Sequence, residues 1–219
     1  MVIKNMKRAV HKEEIKNKVL TVALNLFIKQ GYLKTTIKQI IQEADITNGT
    51  LYHFFQNKED ILMYLVGDMI HMYSDLADSI VKKNDPCLRF ALEIALQLNV
   101  IIIYKSIGEL YLEAYNSSRI SKLIAQKGSQ RNRELFKTIY SKFTADDFYV
   151  RTLAVKGILH AFIHEFVHDR KMENWAKIHD ILEMVLSIFN IPLTQIHTTI
   201  KTILRIIKNQ SIKTSGFEI

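Results

Sequence analysis

Thr36, Thr47, Asn48, Gly49, Thr50, Tyr52, His53 and Lys58 gather three hydroxyls, an amide, a phenol, an imidazole and an ammonium group into one short stretch of chain. Groups of this kind bond to phosphate oxygens and to the edges of bases. An asparagine side chain can pair bidentately with adenine, and a threonine offers a methyl to thymine as well as a hydroxyl. Gly49 removes a side chain where a surface must come close. No carboxylate pair or nucleophile–base set has a catalytic spacing; Glu109 and Glu113 share a helical face as surface pairs do. GxGxxG and GxxxxGK(S/T) loops are absent, and no cofactor is expected. Cys87, the single cysteine, excludes an internal disulfide framework and suits a small buried position beside Pro86.

The charge is placed to serve such a site. The 219 residues carry 30 Lys/Arg and 22 Asp/Glu, a net charge of +8, of which residues 1–42 hold 9 Lys/Arg against 2 Asp/Glu. A positive field therefore surrounds the stretch, as a nucleic-acid reader requires. Lys4, Lys7, Arg8 and Lys12 form a basic arm that either follows a minor groove or frays in solvent. Glu13 and Glu14 stand where a secretory signal would need apolar residues, so a cytoplasmic location is expected.

Seven glycines, two prolines and apolar residues recurring every three or four positions predict an all-α chain. A first helix is expected over about 13–30, with Gly31 as its C-cap. Thr36 and Gln39 read as a capping box opening a short helix to about Ala44, and Asp45 suits a left-handed turn. Thr47 caps a third helix through the polar stretch, and Phe54 and Phe55 close a small core. Asn57, with Glu59 and Asp60 behind it, starts a long helix to about Lys83. Two short helices separated by a tight turn make a helix-turn-helix. Beyond Asp85-Pro86 the spacing predicts helices to about Ile103, from Ser106 to Tyr115, and from Arg119 to Phe143 with an irregularity at Gly128. Asp146 or Asp147 is expected to cap a helix to about Val167, and Asn174 one to about Phe189. Ile196, Ile200, Ile203, Leu204 and Ile207 mark a last amphipathic helix. The stretch from Ile94 to Tyr104 is too short to span a bilayer and reads as a core helix, so no stable membrane association is expected.

The runs Gly31-Tyr32-Leu33-Lys34-Thr35-Thr36-Ile37 and, more specifically, Ala44 through Leu62 (ADITNGTLYHFFQNKEDIL) resemble the TetR/AcrR family of dimeric transcriptional regulators. The resemblance is strong over about 13–65; beyond that it rests on length, helical content and order. It implies a three-helix DNA-binding domain over 1–57 joined to a larger helical effector-binding and dimerisation domain over 58–219. It also implies a homodimer on a pseudo-palindromic double-stranded operator, with phosphate contacts at Thr36 and Lys58. The chain departs from the family's usual pattern at Asp45, commonly glycine, and at Asn48, frequently lysine or arginine. The first alters turn chemistry little. The second removes a cation and leaves an amide able to read adenine.

The family's middle helices enclose a ligand cavity, which implies a small hydrophobic or amphipathic effector. Leu98, Ile102, Tyr104, Tyr111 and Tyr115 are candidates for its apolar and aromatic lining, with His71, Gln97 and Asn99 at the polar end; all of these would equally fill a helical core. Its last two major helices form the dimer interface. Leu153, Ile158, Phe162, Trp175, Ile178, Leu182, Val185 and Phe189 are candidates there, as interface or core. His160, His164 and His168 form a stripe expected at a dimer seam or a solvated edge; all three would span about 12 Å, too far for one metal ion. Two other readings stay open at this level: a DNA-binding dimer without an effector, and a helical enzyme or carrier whose basic head serves another anion.

Overall fold

The helical periodicity resolves into ten α-helices among the described residues, which are 2–81, 85–169 and 175–209 of this computed structural model. The chain divides into two compact units, Met1–Asp68 and Met69–Ile219.

In the first unit, α1 (Val2–Gln30) packs against α2 (Ile37–Glu43), followed by α3 (Asn48–Phe54) and the start of α4 (Lys58–Ile80). Val19, Ala23, Phe27, Ile40, Leu51, Phe55 and Ile61 make a fully enclosed core, while Phe54 is only half-buried. Each boundary has a local cause. Gly31 takes φ +88 and donates its N–H to the Phe27 carbonyl at 3.0 Å, ending α1. The Thr36 hydroxyl accepts from Gln39 N–H, and the Gln39 side chain accepts from Thr36 N–H, completing the expected box. At the end of α2 the amides of Asp45 and Ile46 reach back to the carbonyls of Gln42 and Ile41, each at 3.2 Å, with Asp45 left-handed at φ +48. This is a Schellman motif with aspartate in the glycine position. Asn57 receives the Asp60 N–H at 2.9 Å and opens α4.

One boundary differs from expectation. The first helix begins at Val2, eleven positions before the predicted Glu13, because no glycine or proline interrupts residues 2–12. The side chains of Lys4, Lys7 and Arg8 lie outside the described residues.

In the second unit the remainder of α4 precedes α5 (Pro86–Ile103), α6 (Lys105–Asn116), α7 (Ser118–Phe136), α8 (Ala145–His168), α9 (Trp175–Ile188) and α10 (Leu193–Asn209). Pro86 follows the Asp85 cap. α5 is apolar enough to pass as a membrane span by length and composition. Most of its apolar residues are instead buried against α6, α7, α8, α9 and α10, while Arg89, Glu93 and Gln97 make one polar stripe along it. Phe90 from α5, Phe136 from α7 and Phe189 from the turn just after α9 form one cluster with ring centroids 4.9 to 5.5 Å apart. α10 lays Ile196, Ile200 and Ile203 onto α5 and α9. α6 is joined at each end by a single residue: Tyr104 ends α5 and begins α6, and Ser117 ends α6 and caps α7.

Three expected features of this unit are corrected. α7 stops at Phe136 rather than Phe143, because Tyr140 folds back to stack on Phe143 at 4.6 Å and Phe143 packs against Phe148. Thr144, not Asp146 or Asp147, caps α8; Asp147 is the third residue of that helix and bonds back to the Thr144 amide and hydroxyl. Gly128 causes no irregularity. It lets Thr152 approach, since a Cβ there would lie 3.1 Å from the threonine methyl. The Asn174 cap lies outside the described residues.

Candidate nucleic-acid interface and inner cavity

α3 has two sides of opposite character. Leu51 and Phe55, four residues apart, are wholly buried and anchor it; Asn48, Gly49, Tyr52 and His53 are exposed, Tyr52 at 55%. The Thr47 hydroxyl accepts from Thr50 N–H at 3.1 Å and shares a hydrogen bond with the Thr50 hydroxyl at 2.9 Å, so the two hydroxyls act as a linked pair at the helix start. His53 meets Phe54 edge to face at 5.1 Å. Gly49 has an ordinary backbone conformation, and a Cβ there would meet only the Thr47 hydroxyl at 3.9 Å. Neither the backbone nor any neighbour in the chain demands glycine at this position. Thr36 is also exposed, at the start of α2.

Lys58 is placed differently from the other seven. Its Nζ donates to the carbonyls of Tyr32 at 2.7 Å and Thr35 at 2.8 Å and lies 4.2 Å from the Tyr32 ring centroid. The ammonium ties the first turn of α4 to the loop between α1 and α2, an inward function that residue type alone did not suggest. Leu33, 74% exposed on that loop, is a further apolar surface residue that the pattern did not single out.

Inside the larger unit, a cavity of about 130 Å³ is walled by α4, α5, α6, α7 and α8. Ile70, Phe90, Ile94, Ile124, Val155 and Leu159 supply apolar surface; Tyr73, Glu93, Gln97, Tyr115, Arg131, Asn132, Thr152 and Lys156 supply the polar groups. Of the eight expected lining residues, Gln97 and Tyr115 are present. Tyr111 stands behind Gln97, accepting from its amide at 2.9 Å. The others do not line this cavity. Leu98 and Asn99 are rotated by 100° or more from Gln97 around α5 and are buried in the core; Ile102 is half-buried and Tyr104 forms the α5–α6 joint. His71 is exposed beside Lys127, 3.3 Å from its Nζ.

The cavity's charged edge had no signal in the sequence, because its members lie far apart in the chain. Arg131 pairs with Glu93 and lies 3.4 Å from Asp78, which also pairs with Arg89. Burial pushes the Glu93 carboxyl above its usual range despite the neighbouring Arg131 guanidinium. Burial likewise pushes Tyr73 up to about 12 and raises Tyr111 and Tyr115, so these phenols are neutral donors at physiological pH. Asn132 donates to the Thr152 hydroxyl at 2.9 Å, which in turn donates to the Phe148 carbonyl at 2.7 Å.

The expected dimerisation residues fall into two groups. Ile178, Leu182, Val185 and Phe189 are wholly buried within their own chain and fill its core, because α9 turns that face toward α5 and α8. Leu153 is 40% exposed, and Ile158 and Phe162 are half-buried. The side chain of Trp175 lies outside the described residues. Val150, Ala154, Gly157 and Ala161 are exposed on α8, and Met184 on α9. His164 and His168 are exposed with ring centroids 4.4 Å apart, while His160 lies against Tyr115. Among the described residues, no group of three or more His, Cys, Asp or Glu is arranged to hold a metal ion.

Residues 19–65, from the second half of α1 into α4, match the family model described as bacterial regulatory proteins, tetR family. The HTH-type transcriptional regulator HbdR of Aromatoleum sp. (strain CIB) is 25% identical over 166 residues, which is 75% of this chain and 72% of that protein. QacR of Staphylococcus aureus (strain Mu50 / ATCC 700699), an HTH-type transcriptional regulator, is 38% identical over 52 residues, covering 24% of this chain and 28% of its own length. Among solved structures, RolR in complex with resorcinol superposes with a TM-score of 0.66 at 18% identity, covering 88% of this chain and 95% of its own. Residues 19–65, in an all-α fold with a helix-turn-helix whose α3 is polar outward and apolar inward, thus match the tetR family of bacterial regulatory proteins, and the chain is similar over most of its length to an HTH-type transcriptional regulator.

Proposed function

We propose that this chain is a cytoplasmic homodimeric repressor that holds a pseudo-palindromic operator and lets it go when a small molecule fills the cavity of the larger unit. The observation that carries the DNA part is the two-sidedness of α3. Leu51 and Phe55 fix the helix, leaving Asn48, Gly49 and Thr50 to meet the major groove, with Thr36, Thr47, Tyr52, His53 and Lys58 serving the phosphate backbone. A glycine that nothing in the chain requires is accounted for by close approach of DNA. The first 57 residues serve reading, and 58–219 serve effector binding and dimerisation. The exposed face of α8, with Leu153 and Ile158, is the surface offered to a second copy.

Release is a population shift. A ligand that prefers the DNA-incompetent arrangement thirtyfold supplies about 2 kcal/mol of coupling.

Selection of bound duplexes from a random pool tests this reading. The expected product is a palindrome with half-site centres about 34 Å apart or further, bound with steep salt dependence. Recovery of no preferred sequence refutes operator reading. Asn48→Ala should relax preference at one position in each half-site, by about 1–3 kcal/mol. An equal loss on every duplex would instead assign Asn48 to the backbone.

A further inference from the structure

We infer that the cavity takes a small organic monoanion: an apolar body about the size of one six-membered ring carrying a single carboxylate, with Lys156 and Arg131 at its charged end. The inference rests on the effector reading above and narrows it.

Size comes first. At about 130 Å³ the space is close to that of an apolar protein cavity of about 150 Å³ that holds benzene, and well below the 300 Å³ or more of sites for drug-sized ligands. A long acyl chain does not fit this volume.

Charge comes second. Two cations and one carboxylate border the space. Lys156 is half-buried, with its Nζ 5.7 Å from the Tyr115 ring centroid, and it makes no ion pair among the described residues. Arg131 spends one Nη on Glu93 and Asp78, while its Nε is buried without a hydrogen-bond partner. An anion satisfies the unpaired ammonium and the vacant guanidinium donor together; a neutral ring leaves both as they are, and an amine meets like charge. The apolar residues from α4, α5, α7 and α8 then cover the ring, and the neutral Tyr73 phenol adds a donor.

The same geometry implies a route for the signal. A ligand carboxylate competes for Arg131 with Glu93 on α5 and Asp78 on α4, so occupancy loosens a tie to α4, the helix that runs on from the N-terminal unit.

The test titrates the full-length protein with benzoate and with benzamide, its neutral isostere, by calorimetry. Wild type should bind benzoate at least tenfold more tightly than benzamide. Lys156→Met should bring the ratio to threefold or less while leaving benzamide affinity in place, and Leu159→Trp, which fills the space, should weaken both probes. If Leu159→Trp does not fold, Val155→Phe fills the same space. Equal affinity for the two probes, or a benzoate preference that survives Lys156→Met, overturns the anion inference while leaving the cavity as the effector site. Benzoate binding unaffected by the filling substitution overturns both. If neither probe binds, the inference falls; the effector reading then stands only if a different small molecule weakens duplex binding in wild type and not in the filled variant.

Discussion

The N-terminal unit and the larger unit are both helical, yet their elements are specified over different distances along the chain. In the N-terminal unit, Gly31, the Thr36–Gln39 box, Asp45 and Thr47 each set a helix end through partners no more than five residues away. Its polar groups face outward, where a macromolecule can reach them. In the larger unit the decisive contacts join distant residues: Arg131 meets Glu93 across 38 positions and Asp78 across 53, and the phenylalanine cluster draws on two helices and the turn after a third. The difference teaches that a reader of an extended polymer can be assembled from local rules. A pocket between helices needs tertiary packing to bring its groups together.

The largest effect that can break this comparison is expected at Phe189. It is wholly buried between Phe90 and Phe136, so Phe189→Ala should cost about 3–5 kcal/mol in urea-induced unfolding. A loss below about 1 kcal/mol would show that the cluster does not act as a cooperative core.

Lys58→Met comes next. Removing two charge-assisted hydrogen bonds to carbonyls should cost about 1.5–3 kcal/mol and speed hydrogen exchange near Thr35, while weakening specific and non-specific duplexes alike. Unchanged exchange with reduced duplex affinity would leave Lys58 a purely external contact.

Asp45→Gly tests the local rule in the favourable direction. Relief of a left-handed side chain is worth about 1–2 kcal/mol, but glycine's added unfolded-state freedom offsets about 0.5–1, so a net gain of about 0–1.5 kcal/mol is expected in thermal unfolding. Destabilisation would show that the aspartate makes a compensating contact.

The smallest effect belongs to Asp147, visible only in acid. Hydrogen bonds from the Thr144 hydroxyl and amide hold this carboxyl below its usual value of 3.8. Because the folded value is the lower one, the stabilisation is complete above the unfolded value and fades as pH falls through the folded value. Below about pH 4, the melting temperature of wild type should therefore fall more steeply than that of Asp147→Asn. Parallel curves would remove Asp147 from the acid response.

These contrasts also explain what was legible in the sequence. Thr36, Asp45, Thr47 and Pro86 announce their geometry by type and neighbourhood, and the helix-turn-helix follows from the first three. Ile178 and Leu153 look alike as apolar residues at helical spacing; only the rotation of α9 and α8 against their neighbours buries the first and exposes the second. Gln97 was recognised as a polar residue on an apolar helix. Nothing in the type or neighbourhood of Arg131, Lys156 and Glu93 marks them out; three helices bring them to one cavity. Lys58 was visible as a cation at a helix start, but its partners lie more than twenty residues earlier.

The single-residue joints at Tyr104 and Ser117 limit how α6 can respond to anything lodged beside Tyr115. With no slack at either end, the twelve-residue rod cannot slide alone. Any displacement becomes a torsion at those two hinges, and α5 and α7 receive it directly. Lengthening either joint by a glycine would decouple that linkage without touching a single wall of the cavity.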